Sequence, residues 1–250
     1  MRRGQPVDQA RILAEALARV RARAPYGVVV LDLDSTLLDN RPRQARILAD
    51  YGRAAGVPAL AAARPDHFEG WSLERALRNA GLTEAEARRH EAPFRAFWRE
   101  RFFTSAYCRE DAPIPGAPGF VLDVVCEGGI VAYVTGRPAA MADGTLEAMA
   151  RAGFPLPDGR RVRLLMKPSP EATDDDWKAE AMGEVERLGP VVAAFDNEPA
   201  HVNAYARAWP AALTVHLDTD HSARPDEPVA PVPSIADFRT PRDAGVGMSP

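Results

Sequence analysis

The sequence lacks the features that mark several classes of protein. Only two residues are cysteines, Cys108 and Cys126, and they form no CxxC pair, so neither a zinc site nor a disulfide framework is indicated. The five histidines show no HxH or HExxH spacing, which also argues against a zinc enzyme. The net charge of −4 gives no indication of nucleic acid or an anionic membrane as a partner. No stretch is long and apolar enough to span a bilayer, and the first residues lack a signal-peptide core, so we expect a cytoplasmic protein.

The composition is that of an ordinary globular protein, with 46% hydrophobic and 26% charged residues. The 250 residues suit one sizeable domain, or a domain with a large insertion. Short apolar runs alternate with helical patterns, which predicts an α/β fold with a Rossmann-like parallel sheet flanked by helices. The predicted strands lie at about 27–33, 130–135, 162–166, 191–195 and 213–217. Helices are predicted at 6–24, 118–127 and 138–152, and another begins at Thr173.

A long helical stretch interrupts the predicted sheet after its first strand. Residues 42–104 follow a helical pattern and contain no convincing strand. An insertion at the active edge of a sheet is well placed to act as a lid. We therefore divide the chain into four parts, which are an N-terminal helix packing on the core at 1–25, a catalytic core at 26–40 and 112–238, a helical cap at 41–111, and a flexible tail at 239–250.

Two segments of the expected cap are rich in aromatic residues. One is a helical stripe typical of a bundle core rather than of a ligand site, made of Phe94, Phe97, Trp98, Arg101 and Phe102. The other, at 67–71, mixes aromatic and polar groups near a glycine. We interpret it as a turn between helices, with a specificity loop facing the catalytic edge as the alternative.

Polar residues end three of the predicted strands. They are Asp32 and Asp34 after the first, Thr135-Gly136-Arg137 at the second, and Asp196 at a later one. In an open parallel sheet these ends share one edge, and ligands bind there. Carboxylates, a hydroxyl beside a glycine amide and the ammonium of Lys178 together suit a divalent cation and a phosphate. The alternative is that Asp32 and Asp34 are turn residues only.

The chain resembles the haloacid dehalogenase superfamily, in the branch dominated by phosphatases. The matching pieces are, in order, Asp32-Leu33-Asp34-Ser35-Thr36-Leu37, Val134-Thr135-Gly136-Arg137, Lys178 and Phe195-Asp196-Asn197-Glu198. The first motif is specific, whereas the second alone is weak. Four motifs in the right order and strand context are hard to obtain by chance, and the resemblance covers about 26–220.

The resemblance implies roles for three aspartates. Asp32 would be the nucleophile that forms an aspartyl-phosphate. Asp34 would protonate the leaving oxygen and then deprotonate the attacking water. Mg²⁺ would be held by the Asp32 carboxylate, the backbone carbonyl of Asp34 and Asp196. The cation would keep Asp32 ionised.

The resemblance also implies which residues bind the phosphoryl group. Thr135 and the amide of Gly136 would hold its oxygens, and Lys178 would neutralise both the phosphate and the nucleophile. Arg137 would either contact the substrate or brace its own loop. Lys167 competes with Lys178 for the lysine role, and we prefer Lys178 because it begins an amphipathic helix that leads into the last motif.

The chain departs from the family pattern in its fourth motif. Many relatives carry a second acid four or five residues after the first, where this sequence has Ala200 and His201. Glu198 or Asn197 would serve instead, directly or through water. The departure concerns the outer part of the metal site and leaves Asp196 in its expected role.

The presence of Asp34 favours phosphate-ester hydrolysis or phosphomutation over carbon–halogen cleavage, because a halide leaving group needs no proton. We expect a Mg²⁺-dependent phosphatase acting on a small phosphorylated metabolite, since a helical lid favours small substrates over proteins. The alternatives are a phosphomutase of the same fold and a non-catalytic binding protein that retains the fold. Neither nucleic acid nor a membrane is expected as a partner.

Overall fold

The structure is a computed structural model that describes residues 6–222, 224–229 and 231–240. Residues 1–5 of the expected N-terminal segment and 241–250 of the expected tail lie outside the described residues. Within the described part of the chain, no helix has both the length and the apolar character that crossing a membrane requires.

A parallel sheet of six strands forms the centre of the fold, which confirms the predicted α/β class. In chain order the strands of the described residues are β1 (Val28–Leu31), β2 (Leu38–Asp39), β3 (Ala112–Pro113), β4 (Ile130–Pro138), β5 (Val162–Lys167), β6 (Val191–Asp196), β7 (Leu213–Leu217) and β8 (Ser234–Ile235). Six of them form the central sheet, in the order β5-β4-β1-β6-β7-β8, and β2 and β3 lie outside it. In this order β1 lies between β4 and β6, so that Leu31 pairs with Tyr133 on one side and Phe195 on the other.

Helices cover both faces of the sheet. In chain order they are α1 (Pro6–Arg23), α2 (Arg41–Ala54), α3 (Pro58–Ala61), α4 (Leu73–Asn79), α5 (Glu84–Phe102), α6 (Ser105–Cys108), α7 (Ala117–Cys126), α8 (Ala142–Ala152), α9 (Asp174–Glu186) and α10 (Pro199–Ala208). Helices α1, α7 and α8 pack on one face, and α9 and α10 pack on the other. In β1, Val29 and Leu31 join the first cluster while Val28 and Val30 join the second. Because side chains alternate along a strand and both faces are covered, the strands are continuous apolar runs.

A helical insertion leaves and rejoins the sheet through a short antiparallel ladder. Strands β2 and β3 pair with each other, and α2 to α6 lie between them. We call residues 41–108 the helical insertion. It has a hydrophobic cluster of its own, whose fully buried members include Ile47, Leu48, Leu60, Leu77 and Phe94. The insertion therefore has its own core and is joined to the sheet by two short connections.

Strand β4 is longer than the sequence pattern indicates. A strand at 130–135 and a helix at 138–152 are predicted, whereas β4 continues to Pro138 and α8 begins at Ala142. Pro138 pairs with Lys167 of β5 after a shift in register, which extends the strand beyond its apolar run. The pattern also gave no sign of β2, β3 or β8, because two residues are too few to show a periodicity.

Candidate active site

The ends of β1, β4 and β6 lie side by side because these strands are neighbours in the sheet. Asp32 follows β1, Gly136 lies near the end of β4, and Asp196 is the last residue of β6. All three line one cavity of about 220 Å³. The other predicted site residues on its lining are Asp34, Arg137 and Lys178, and the helical insertion contributes Arg43, Trp71, Phe102 and Phe103.

The side chain of Lys178 lies between two carboxylates at this edge. Its ammonium nitrogen is 2.8 Å from Oδ1 of Asp32 and 2.5 Å from Oδ2 of Asp196. The exposed fraction of each of these residues is 5% or less. Helix α9 positions the lysine. It begins after Thr173, in agreement with the predicted helix start, and the Thr173 hydroxyl accepts from the backbone amide of Asp176. One cation therefore joins the ends of β1 and β6.

Burial and charge act in opposite directions on these three groups. For Asp32, burial is the larger effect and raises the pKa of the carboxyl to about 7, although Lys178 acts to lower it. Burial would also raise the pKa of Asp196, but Lys178 and His201 bring it below its ordinary value. Burial would lower the pKa of Lys178, but Asp196 and Asp32 raise it well above the ordinary value. Asp32 therefore needs more positive charge than Lys178 supplies to be fully ionised at neutral pH.

Asp34 is held by two buried arginines. Arg137 donates to its Oδ2 at 2.7 Å and to its Oδ1 at 2.8 Å, and Arg43 donates to Oδ1 at 2.7 Å. The amide of Asn40 donates a further hydrogen bond at 3.2 Å. Burial would raise the pKa of Asp34, but Arg137 and Arg43 hold it well below its ordinary value. Asp34 is therefore ionised in this arrangement.

The same two arginines share a second carboxylate. Arg137 donates to Asp111 at 2.7 Å, and Nε of Arg43 lies 3.0 Å from the other oxygen. The side chains of Arg43 and Asp111 are both 0% exposed. We call Asp34, Arg43, Asp111 and Arg137 the ion cluster. It connects the helical insertion to the sheet, and it favours the interpretation of Arg137 as a bracing residue.

Thr135 and Gly136 precede this arginine in β4, where the pairing with β5 shifts in register. The Thr135 hydroxyl accepts from the backbone amide of Arg137 at 3.2 Å, and Thr135 is buried without lining the cavity. Gly136 does line it, and a Cβ at this position would lie only 2.7 Å from a carboxylate oxygen of Asp174. Lys167 donates to that same carboxylate at 2.7 Å. The two candidate lysines therefore have different partners, and only Lys178 contacts Asp32.

The residues after Asp196 are occupied by partners within the chain. The backbone amide of Glu198 donates to Asp196 at 2.9 Å, while the Glu198 carboxylate accepts from the Ser222 hydroxyl at 2.6 Å. The backbone amide of Asn197 donates to the Thr36 hydroxyl at 3.0 Å, which ties the last motif to the first. Both side chains line the cavity without contacting the carboxylate of Asp196.

The donor atoms at this edge suit a magnesium ion. Among the described residues there is no group of three or more His, Cys, Asp or Glu side chains arranged to hold a metal. Mg²⁺ needs fewer protein ligands, because it usually keeps several waters and binds one or two carboxylates together with phosphate oxygens. Asp32 and Asp196 are two such carboxylates, whereas the carboxylate of Asp34 is taken by the arginines. Asp32 and Asp196 therefore supply the two carboxylates that such an ion needs, and one oxygen of each contacts Lys178 in this structure.

His201 stands where many relatives of the resembled family have a second acid. Its Nδ1 is 3.6 Å from Asp196, and its Nε2 is 2.9 Å from Asp175. Burial and Lys178 would lower the pKa of His201, but Asp196 and Asp175 raise it above the ordinary value. At this position the chain thus places an imidazole near Asp196 rather than another oxygen ligand.

Comparisons with known proteins bear on the fold. No protein-family model matches the sequence, and no curated protein is significantly similar to it. Among solved structures, protein tyrosine kinase A of Mycobacterium tuberculosis matches with a TM-score of 0.52 and 17% identity, over 89% of this chain and 97% of that one. A haloacid dehalogenase-like hydrolase of Streptococcus pneumoniae matches with a TM-score of 0.46 and 16% identity, over 80% and 88%.

A class C acid phosphatase of Bacillus anthracis also matches, with a TM-score of 0.45 and 17% identity. The match covers 77% of this chain, which spans only 62% of that phosphatase. At such identities the comparisons concern the fold alone. The chain has an α/β fold with a Rossmann-like parallel sheet flanked by helices.

The parallel sheet explains why the sequence motifs meet at one edge, but the motifs omit the contributions of the helical insertion. Arg43 lies in α2 among other polar residues, and nothing in its spacing separates a buried arginine from exposed ones. Phe102 packs in the core of the insertion, as the aromatic stripe predicts, and it also lines the cavity. Trp71 ends the segment interpreted as a turn, and its place in the cavity supports the alternative of a specificity loop.

Proposed function

We propose that this chain is a Mg²⁺-dependent phosphatase that hydrolyses a small phosphorylated metabolite through an aspartyl-phosphate on Asp32. The observation that carries the proposal is the position of Lys178, whose ammonium contacts Asp32 and Asp196 at the edge of the cavity. A carboxylate nucleophile and a phosphate ester are both anionic, so they approach each other only where positive charge is concentrated. Lys178 supplies one such charge in a site from which solvent is largely excluded.

In the first step an oxygen of Asp32 attacks phosphorus, and the bond between phosphorus and the ester oxygen breaks. Lys178 and the backbone amide of Gly136 stabilise the charge on the phosphoryl oxygens. Held by Asp32, Asp196 and the backbone carbonyl of Asp34, Mg²⁺ would lower the pKa of Asp32 and neutralise phosphoryl charge. In the second step water attacks phosphorus, which releases phosphate and restores the Asp32 carboxylate.

Asp34 is the residue we propose for proton transfer. As a carboxylate it has the protonation state that accepting a proton from the attacking water in the second step requires, but the contacts with Arg137 and Arg43 make it a weaker base. Donation to the leaving oxygen in the first step requires a protonated Asp34. Because both arginines stabilise its ionised form, the first step requires that at least one of these contacts be broken.

The fold alone does not distinguish transfer to water from transfer to another acceptor, since one structural neighbour is named a protein tyrosine kinase. The cavity favours a small reaction partner. Its volume of about 220 Å³ lies below the roughly 300–1,000 Å³ of most ligand pockets, and part of its lining comes from the helical insertion. A small ester and water fit this space better than a folded phosphoprotein does.

The test is phosphate release by the purified full chain, measured with p-nitrophenyl phosphate and a panel of phosphorylated metabolites, with and without Mg²⁺. We expect Mg²⁺-dependent release that is lost in Asp32→Asn. Asp123→Asn is the matched control, because Asp123 is an exposed aspartate on α7 that does not line the cavity. It should retain full activity.

Two results would contradict the proposal in different ways. Release that persists in Asp32→Asn would show that Asp32 is not the nucleophile. No release from any ester, by a folded and Mg²⁺-loaded sample, would exclude hydrolysis of this panel. Activation by a bisphosphate in that sample would indicate the phosphomutase alternative, and its absence would favour the non-catalytic one.

A further inference from the structure

One part of the cavity lining is aromatic. Trp71, Phe102 and Phe103 all belong to the helical insertion, and they line the same cavity as Asp32 and Lys178. We call these three side chains the aromatic wall. None of them is part of the four sequence motifs.

The aromatic wall is supported by rings packed behind and beside it. Trp98 stacks on Phe102 with ring centroids 4.3 Å apart and an interplanar angle of 18°. Phe103 meets Trp98 edge to face at 5.7 Å, and Trp71 meets Phe102 edge to face, also at 5.7 Å. These are preferred geometries for aromatic pairs. The wall is therefore a pre-arranged surface and not a set of independent side chains.

The backbone that carries Trp71 is held in an unusual conformation. Trp71 has φ +56° and follows Gly70 with φ +65°, and the left-handed region is uncommon for a bulky residue. Such conformations persist where the surroundings over-determine them, and they concentrate at functional sites. The Gly70 amide donates to the Asp220 carboxylate, and the Asp220 carbonyl accepts from Asn197 at 2.7 Å. Trp71 is thus fixed relative to the loop that follows Asp196.

Most polar groups on the rest of the lining already have partners within the chain. The Arg224 guanidinium donates to Asp175 at 2.9 Å, and the Glu198 carboxylate accepts from Ser222 at 2.6 Å. Arg43 belongs to the ion cluster. Phe103, by contrast, is 44% exposed although it is a large apolar residue. The surface that remains to recognise the part of the substrate beyond the phosphate is therefore the aromatic wall.

We propose that the alcohol part of the substrate carries a single aromatic ring, which stacks against Trp71 and Phe103 while the phosphoryl group lies at Asp32 and Lys178. This inference rests on the proposed function and specifies its substrate class. Ring stacking adds to the free energy of burying apolar area, and it selects flat groups over saturated ones. A cavity of about 220 Å³ has space for one ring and a phosphoryl group.

The test compares kcat/KM for benzyl, cyclohexylmethyl and ethyl phosphate. The three leaving alcohols have similar acidity, so differences report on the contacts of the alcohol part. The wild-type chain should prefer benzyl phosphate over both other esters. In Phe103→Ala and Trp71→Leu the ratio of benzyl to ethyl kcat/KM should fall about tenfold, the size expected for losing one stacking partner. Trp71→Phe keeps an aromatic ring and should retain most of the preference.

The ratio separates recognition from stability, because a partly unfolded sample loses activity on all esters equally. Leu156→Ala is the matched control, since Leu156 is also 44% exposed but does not line the cavity. Equal kcat/KM for benzyl and cyclohexylmethyl phosphate, or ratios unchanged in both loss variants, would overturn the aromatic proposal and leave the phosphatase intact. No release from any of the three esters by a sample that releases phosphate from p-nitrophenyl phosphate would overturn this inference alone. No release from p-nitrophenyl phosphate or the metabolite panel either would overturn the proposed function and this inference with it.

Discussion

Replacing Arg43 by methionine tests the ion cluster directly. Arg43 is fully buried and contacts Asp34 at 2.7 Å, Asp111 at 3.0 Å and the backbone carbonyl of Phe102 at 3.1 Å. Its guanidinium also lies 4.2 Å from the centroid of the Phe102 ring. Methionine fills a similar space without the charge. The substitution therefore leaves two carboxylates facing a single guanidinium, that of Arg137.

The expected loss of stability in Arg43→Met follows from the contacts that Asp34 and Asp111 keep. Removing one member of a buried ion pair costs about 3–5 kcal/mol when the other charge is left without compensation. Asp34 and Asp111 both keep their bonds to Arg137, so we expect the lower end of this range, about 3 kcal/mol. For a protein of this size each kcal/mol shifts the midpoint of thermal unfolding by about 2–4 °C, which gives a decrease of about 6–12 °C.

The measurement is thermal and urea unfolding of the full chain. Arg46→Met is the matched control, because Arg46 lies on the same helix with its side chain 48% exposed, and it should leave the midpoint unchanged. The double variant Arg43→Met with Asp111→Leu removes one charge of each sign. Its free energy of unfolding should be about 1 kcal/mol or more higher than that of Arg43→Met, because the Asp34 carboxylate then faces the Arg137 guanidinium alone.

Two outcomes would refute this reasoning. A midpoint for Arg43→Met within about 2 °C of wild type would show that the cluster contributes little to stability. A double variant less stable than the single one would show that Asp111 stabilises the fold through something other than the arginines.

Three further predictions concern the site and its surroundings. Lys178→Met should lower kcat/KM for phosphate release by about 10²-fold or more, because Lys178 contacts the buried Asp196. Lys167→Met should retain most activity, because the partner of Lys167 is the half-exposed Asp174. Equal losses in the two variants would contradict the assignment of the lysine. EDTA should abolish phosphate release, and phosphate release that continues in EDTA would exclude a required metal. Mg²⁺ at 100 times its dissociation constant should raise the free energy of unfolding by about 2.7 kcal/mol. Burial lowers the pKa of His216 in the folded chain below the ordinary value of 6.5. As the pH decreases below 6.5, the unfolded chain therefore binds a proton at this histidine before the folded chain does, and the free energy of unfolding should fall. His216→Gln should reduce the loss of stability between pH about 7 and about 5.5, and an unchanged loss would contradict the role of His216.

The strands that carry the site could be predicted because their physical origin is local. A strand buried on both faces must be apolar at every position, as Val28 to Leu31 are. Acids at the end of such a run are conspicuous, so Asp32 and Asp196 were identified from the sequence. The preference for Lys178 over Lys167 also came from position, since Lys178 lies near the start of the helix that leads into β6. In the structure Lys178 contacts Asp32, whereas Lys167 contacts Asp174.

The contributions of the helical insertion could not be predicted because they depend on contacts between distant parts of the chain. Arg43 and Asp111 are 68 positions apart, and they meet only because β2 and β3 pair where the insertion leaves and rejoins the sheet. Trp71 reaches the cavity through a backbone conformation that its sequence does not indicate. Thr135 shows the opposite case, because its motif is recognisable but its hydroxyl is used by the backbone amide of Arg137.

The helical insertion connects two properties of the site that the motifs treat separately. Through Arg43 it supplies one of the two guanidiniums that keep Asp34 ionised, and through Trp71 and Phe103 it supplies the aromatic wall. Arg137, the other guanidinium, belongs to β4 and not to the insertion, and it contacts Asp34 at 2.7 Å. A displacement of the insertion as a unit would therefore remove one cation from Asp34 and raise its pKa while also uncovering the substrate. In the proposed mechanism the protonation of Asp34 and the binding of the alcohol part of the substrate thus depend on the same movement of the insertion. Substitutions in the aromatic wall should therefore alter the pH dependence of kcat as well as the preference among esters.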